Sequence, residues 1–502
     1  MIKAFGAKLY AAWVHRINKK WIERPYKAQN KTLEQLLHKG QKTIFGIDHN
    51  FNKITDLKSF QASIPIRDYE GLRPYLDRVL KGEKDILWPG RPKYYAKSSG
   101  TTSGAKYVPI TVDSMPQHIR AAREALLNYI HTTKNTSLLN GKHIFLQGSP
   151  VLEDKNGVAL GRLSGIVAHY VPSYLQKNRL PSWETNCIED WETKVDAIVE
   201  ETRNQNMTLI GGIPSWVQMY FERLNKASGK PVGKLFPNFS LFVYGGVNFE
   251  PYRAIFNKLI GRSPDSIEFY PASEGFFAYQ NDQNNPGLLL LLDHGIFYEF
   301  VKADTFFDSV PTIHSLEEVE LGIHYVMIIS STAGLWRYNI GDTIQFTSKA
   351  PFKIRVTGRI KHFISAFGEH VIVSEVEEAI QQAVETETEP VLIREFTVAP
   401  QVNPTTGLPF HEWYIEFDTS PKDLNSFALK VDKAMQNKNI YYADLIVGKV
   451  LQPLKIRLVQ KDGFNAYMKQ EGKLGGQNKV PRVSDNRKIA DVLDQFLITD
   501  EK

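Results

Sequence analysis

Between Met115 and Gly275 the chain alternates between segments of helical period and short apolar runs, and this alternation limits the fold more than any other feature. Met115 to Ile130 reads as a helix and His143-Ile-Phe-Leu-Gln147 as a strand, followed by a helix over Trp191 to Asn204. Strand-like Met207-Thr-Leu-Ile-Gly211 and Leu241-Phe-Val-Tyr244 come next, then a helix from Pro251 to Ile260 and the strand Ile267-Glu-Phe-Tyr270. Strands separated by helices imply an α/β sheet. In open sheets of this kind ligands gather at the C-terminal strand ends. Here those ends carry small residues, Gly245-Gly246 and Ser273-Glu274-Gly275, where a ligand could approach the backbone.

A chain of 502 residues exceeds one comfortable hydrophobic core, so at least two domains are expected. Beyond Leu288 the pattern becomes strand-rich, and from about residue 360 helices and strands mix as in a small α+β domain. The expected division is a large N-terminal multi-sheet α/β domain over residues 1–358 and a smaller C-terminal α+β domain over 359–502. At the N-terminus, Leu9, Trp13, Ile17 and Trp21 recur every four residues and predict a helix, and Thr32 with Glu34-Gln35 predicts the start of another. These helices read as a cap without chemistry.

Composition narrows the partners. The net charge of +6 is modest and no lysine/arginine block stands out, so no nucleic-acid partner is expected. The single Cys187 excludes an intramolecular disulfide and cysteine-held metals, and reads as a small buried hydrophobe. Lys3 and Lys8 interrupt the first fourteen residues, unlike a secretory signal, and the greasiest run, Leu288 to Leu292, is too short to span a bilayer. A cytoplasmic protein without a membrane partner is expected.

The densest chemistry lies in Tyr95-Ala-Lys-Ser-Ser-Gly-Thr-Thr-Ser-Gly-Ala-Lys-Tyr-Val-Pro109. Hydroxyls and backbone N–H groups in a glycine-permitted loop form a concavity suited to phosphate. Strand-like residues on either side hang the loop as a hairpin. It is not a Walker A loop: only three residues separate Gly100 from Gly104, and Tyr107 rather than Ser or Thr follows Lys106. Three more signals follow. Tyr270-Pro-Ala-Ser-Glu-Gly275 puts at a strand end a carboxylate able to hold Mg²⁺ and an aromatic able to stack on a purine. In Tyr338-Asn-Ile-Gly-Asp342 an aspartate after a glycine can accept ribose hydroxyls. Gly358-Arg-Ile-Lys361 leads into a turn, a strand and a helix. Taken singly, each also has an ordinary reading as a turn, a cap or a solvated junction.

In this order and spacing the four signals resemble the core motifs of the adenylate-forming superfamily, which includes acyl-CoA ligases, peptide-synthetase adenylation domains and luciferases. Tyr69-Glu-Gly-Leu-Arg-Pro-Tyr75, Ser98 to Gly104, Ile213-Pro-Ser-Trp216 and Gly476-Gln-Asn-Lys-Val-Pro-Arg482 resemble one branch more closely. That branch is the acyl-acid amido synthetases of the Gretchen Hagen family. The resemblance runs from about Ile64 to Arg482 and implies ATP and Mg²⁺ as cofactors, with a carboxylic acid and an amino acid or other amine as small-molecule partners. It implies that Ser98, Ser99, Gly100, Thr101 and Thr102 hold ATP phosphates, that Tyr270 and the turn Tyr244, Gly245, Gly246, Val247 flank adenine, and that Ser273 is among the cofactor-binding residues. It likewise implies that Glu274 binds Mg²⁺, Asp342 the ribose and Arg359 the ribose or phosphate. Lys361 would sit in a hinge between a large and a small mobile domain. The family's C-terminal catalytic lysine has no clean counterpart: Lys479 is the first choice and Lys473 the second. Pro271-Ala272 and Phe276-Phe277 depart from the plant pattern and suggest a reshaped acyl pocket. Coenzyme A as acceptor, and a non-catalytic nucleotide-binding protein of the same fold, are the alternatives.

Overall fold

A computed structural model describes residues 2–98, 106–170, 176–246, 249–285, 287–360, 363–364, 369, 371–475 and 478–498. Packing divides the chain into two compact units, Met1–Val247 with Ser263–Val356, and Asn248–Arg262 with Thr357–Lys502.

In the first unit a small sheet is built from β1 (Tyr94–Ser98), β2 (Lys106–Ile110), β4 (Glu153–Lys155) and β5 (Val158–Gly161), in the order β2-β1-β5-β4. The large sheet takes β3 (Lys142–Phe145), β6 (Arg179–Leu180), β7 (Met207–Gly211), β8 (Leu241–Gly245), β9 (Asp265–Ala272), β10 (Gly275–Gln280), β11 (Leu288–Leu290) and β12 (Ile296–Lys302). It continues with β13 (Ile313–His314), β14 (His324–Ser331), β15 (Tyr338–Lys349) and β16 (Phe352–Arg359). Its order is β13-β12-β14-β15-β16-β11-β10-β9-β8-β7-β3-β6. The stretch β6-β3-β7-β8-β9 is parallel. It is the half anticipated from the alternation, and the fully buried β7 shows why such strands read as unbroken apolar runs. From β9 onward the neighbours whose registers are resolved run antiparallel.

Helix Ser114–Thr133 covers one face of the parallel half: its Leu127 and Ile130 cluster with Leu209, Leu241, Val243 and Ile267. Ala11 and Val14 of the first helix, Ile2–Ile22, join the same cluster. The four-residue repeat in that helix is not a single buried stripe. Each step of four turns the helix 40° past a full circle, so Trp21 is buried while Leu9 and Trp13 face solvent. Thr32 does not start a helix either. It lies inside Pro25–Gly40, where its hydroxyl donates to the carbonyl of Ala28 at 2.9 Å, one turn back. Cys187 is only half-buried, at the end of the short helix Trp183–Asn186.

In the second unit, β17 (Phe363–Ile364) pairs with β18 (Val371–Ile372), and a separate sheet has the order β19 (Leu392–Gln401), β20 (Phe410–Thr419), β21 (Lys455–Val459). Helices Val373–Glu385 and Leu424–Lys438 bury Val376, Ile380, Phe427 and Val431 with Phe396 and Trp413 of that sheet. Helix Glu250–Ile260, although it connects β8 to β9 in the chain, belongs to this unit. Its Tyr252 hydroxyl meets Arg482 Nη2 at 2.8 Å and donates to Glu395 Oε2 at 3.2 Å.

Candidate active site

The strands on either side of the Ser/Thr/Gly stretch pair as a hairpin. β1 and β2 are antiparallel, with Ser98 opposite Lys106 at the mouth. Ser99, Gly100, Thr101 and Thr102 lie outside the described residues, as do Val247 and Lys361. The mouth is braced from helix Tyr69–Leu80: the Tyr69 hydroxyl accepts the Tyr107 N–H at 3.0 Å, and Lys106 Nζ stands 5.6 Å from the centre of the Tyr69 ring. One strand back, the buried Tyr95 donates to the carbonyl of Val79 at 2.7 Å.

Tyr244 and Gly245 close β8, and β9 runs beside it with Glu268 opposite Tyr244 and Phe269 opposite Gly245. Side chains alternate along a strand, so Tyr244, Glu268 and Tyr270 share one face of the sheet. Gly245 is fixed by its neighbour, since a Cβ there would lie 2.4 Å from the carbonyl oxygen of Phe269. Gly246 follows at φ +85°, a conformation open chiefly to glycine. Ser273 and Glu274, both half-buried, form the two-residue turn between β9 and β10, with Ala272 opposite Gly275.

Tyr270 and Asp342 meet directly: the buried tyrosine donates its hydroxyl proton to Asp342 Oδ2 at 2.6 Å. Three strands separate β9 from β15 in the sheet order, about 19 Å if the sheet were flat. The contact therefore requires the antiparallel half to curl round. Two distant stretches of sequence are brought to one point by that curl.

The approach to Asp342 is locked by a group absent from the expectations. Arg337, at φ +44°, is buried against the equally buried Glu299, with Nε to Oε2 at 2.8 Å and Nη2 to Oε1 at 3.1 Å. Its Nη1 also donates to the carbonyls of Gln61 and Ile64, at 3.0 and 2.5 Å. The Arg67 backbone then grips either side of Tyr338: Arg67 N–H donates to Arg337 O at 3.1 Å, and Asn339 N–H donates to Arg67 O at 2.8 Å. Asn339 Oδ1 accepts the Gly341 N–H at 2.8 Å, one residue before Asp342. The available sequence signal was a charge between Trp336 and Tyr338, matched by another between Tyr298 and Phe300.

Phe276, Phe277 and Tyr279 are core residues of the first unit, and Phe277 packs edge-on against Tyr270 with ring centres 5.0 Å apart. Arg359 and Lys479 are exposed residues of the second unit, and Lys473 is exposed and 3.3 Å from Glu471. No cluster of three or more His, Cys, Asp or Glu side chains fit to hold a metal occurs among the described residues. Mg²⁺ held mainly by substrate phosphates and water needs only one or two protein carboxylates, a number that three-ligand clusters do not decide.

The profile of the GH3 family N-terminal domain matches residues 15–264, that of its central domain 289–359, and that of its C-terminal domain 374–488. The chain belongs to the GH3 family. Among its relatives is jasmonoyl--L-amino acid synthetase JAR6 of Nicotiana attenuata, 22% identical over 91% of this chain and 90% of that protein. Another is 4-substituted benzoates-glutamate ligase GH3.12 of Arabidopsis thaliana, 21% identical over 94% of this chain and 95% of that protein. The solved AtGH3.15 acyl acid amido synthetase in complex with 2,4-DB shares the fold at a TM-score of 0.79 and 18% identity, covering 97% of this chain and 96% of its own. The fold extends to a 2-hydroxyisobutyryl-CoA ligase in its postadenylation state, at a TM-score of 0.59 and 12% identity over 93% and 91% of the two chains. This GH3 chain is an acid–amine ligase with the adenylate-forming fold.

Proposed function

We propose that the chain activates a small-molecule carboxylic acid with ATP as an acyl-adenylate and passes the acyl group to the amino group of an amino acid or related amine. The observation that carries this reading is the Tyr270–Asp342 hydrogen bond, in the unit that also holds the β8 end and the Glu274 turn. An ionised carboxylate accepts several hydrogen bonds. The one from Tyr270 would orient Asp342 for those of a ribose, while the tyrosine ring, with Tyr244 and the Gly245-Gly246-Val247 turn, would border adenine beside Ser273.

Ser98, Ser99, Gly100, Thr101 and Thr102 would receive the phosphates, as the anion-binding character of such loops favours. Glu274 fits Mg²⁺ as one carboxylate among phosphate oxygens, and the ion when bound would neutralise phosphate charge. In the first step an oxygen of the acid attacks the α-phosphorus, and the bond to pyrophosphate breaks. Arg359 and Lys479 are the cations proposed for that step, with Lys361 in the hinge and 359–502 as the mobile domain. In the second step a neutral amine attacks the acyl carbonyl, AMP departs with the bonding electrons, and the amine proton passes to solvent.

The test is a panel of acids and amino acids scored by AMP release and product mass. An amide formed in step with AMP is expected. AMP formation that consumes a thiol instead of an amine would mark a thioester-forming enzyme, and the absence of AMP with every pair would refute the proposal.

A further inference from the structure

Helix Ile2–Ile22 is held by one face and bare on the other. Its inner face is fully engaged: Ala11, Val14, Asn18 and Trp21 are buried, Asn18 Nδ2 donates to Glu124 Oε2 at 2.7 Å, and His15 stacks on His131 at 4.0 Å. The outer face carries Phe5, Leu9 and Trp13 at 66%, 58% and 58% exposure, with Tyr10 at 42% stacked on Trp13. At 100° per residue, Phe5, Leu9, Trp13, Arg16 and Lys20 fall within about 80° of arc. Large apolar side chains and cations thus share one outward stripe, with Lys8 and Lys19 on its flank. Folding does not account for these apolar residues, because the core contacts are made by the opposite side.

Charge identifies the occupant. The helix holds five of the chain's 61 lysines and arginines, Lys3, Lys8, Arg16, Lys19 and Lys20, and none of its 55 acidic residues. It therefore carries +5 of the net +6. One of the five is partly offset, Lys19 lying 3.4 Å from Glu23 in an exposed pair. A second copy of so basic a face would be repelled. An anionic surface into which aromatic and aliphatic side chains can sink matches both features.

We propose that helix Ile2–Ile22 is an interfacial anchor that lays its Phe5-Leu9-Trp13 stripe onto an anionic lipid bilayer, with its cations at the phosphate level. Such a helix lies on the membrane rather than through it, so the lack of any helix long and apolar enough to cross a membrane among the described residues does not bear on it. The proposal departs from the expectation of no membrane partner, which rested on the lysines that interrupt the N-terminal segment and on the shortness of the Leu288–Leu292 run. The anchor is independent of the reaction proposed above.

The test is flotation of the full-length protein with phosphatidylcholine vesicles, alone or containing phosphatidylglycerol at about three to one. Wild type is expected to float with the anionic vesicles at low salt and to be released as salt is raised. The combined variant Phe5→Ser, Leu9→Ser, Trp13→Ser should bind at least about tenfold more weakly, with unchanged circular dichroism. Should that variant not fold, Lys8→Glu, Arg16→Glu, Lys20→Glu should abolish the preference for anionic vesicles. Failure of wild type to float with anionic vesicles, or equal binding by a folded variant, overturns the proposal. So does a lipid-free wild-type dimer that the apolar variant dissolves, which would assign the face to a second copy of this chain.

Discussion

Arg337 and Glu299 form the kind of pair in which losing one partner costs far more than losing both, because the survivor stays charged inside the core. Arg337→Met is expected to destabilise the protein by about 3–5 kcal/mol, and Arg337→Met with Glu299→Leu by less. Urea denaturation checks this, and equal losses for the two would show that the pair is not buried as one unit. The same residues mark what was legible at this scale. Tyr270, Glu274 and Asp342 could be picked out because each stands in a short local motif. That Tyr270 donates to Asp342 was not legible, since a curled sheet joins them across 72 positions of chain. Nor was Arg337, whose partner lies 38 residues away on β12. Glycine in Gly245-Gly246 looked like room for a ligand, yet Gly245 is also required by the carbonyl of Phe269. The acyl acid and the amine are not legible in order along the chain, because a pocket's shape is set by side chains from scattered strands.

A strong period makes an element legible, as in helix Ser114–Thr133 and strands β7, β8 and β9. A pattern with two outlets is less legible: the four-residue repeat at the N-terminus winds from solvent to core, and Thr32 caps nothing because its hydroxyl is turned onto its own helix. The junction of β20 with helix Gly463–Gln470 gives a pH-dependent prediction. Burial pushes the Glu416 carboxyl up to about 7, while backbone N–H bonds from Asp462 at 2.8 Å and Phe464 at 3.3 Å, with Arg394 at 3.4 Å, pull the other way. The folded protein thus keeps a proton that the unfolded chain releases near its ordinary value of about 4.3. Glu416 should make stability decline by a few kcal/mol as pH rises from about 4.3 to about 7, with no further change above. Denaturation of Glu416→Gln at about pH 5 and about pH 8 should show a shallower decline than wild type. An identical decline would remove Glu416 from the account.

At the scale of the molecule, chain order and spatial grouping part company at helix Glu250–Ile260, which connects two strands of the first unit and packs in the second. A linear reading assigns a helix between two parallel strands to their sheet, so nothing in the sequence exposed this exchange. Arg482 ties it to β19: it donates to the Tyr252 hydroxyl, pairs with Glu395, donates to the Phe396 carbonyl at 3.0 Å and covers the Phe396 ring at 4.3 Å. Arg482→Met is expected to loosen this helix and β19 together by about 2–3 kcal/mol. Hydrogen exchange should quicken at residues 250–260 and 392–401 and stay unchanged in β7. Exchange that rises in only one of the two segments would separate them.

If the curl of the large sheet builds the proposed nucleotide site around Asp342, the chain catalyses acid-dependent exchange of labelled pyrophosphate into ATP without any amine. Wild type should exchange with at least one acid of a panel, and folded Asp342→Ala should fall by about a hundredfold or more. Exchange by Asp342→Ala at the wild-type rate would show that Asp342 does not hold the nucleotide in the activation step.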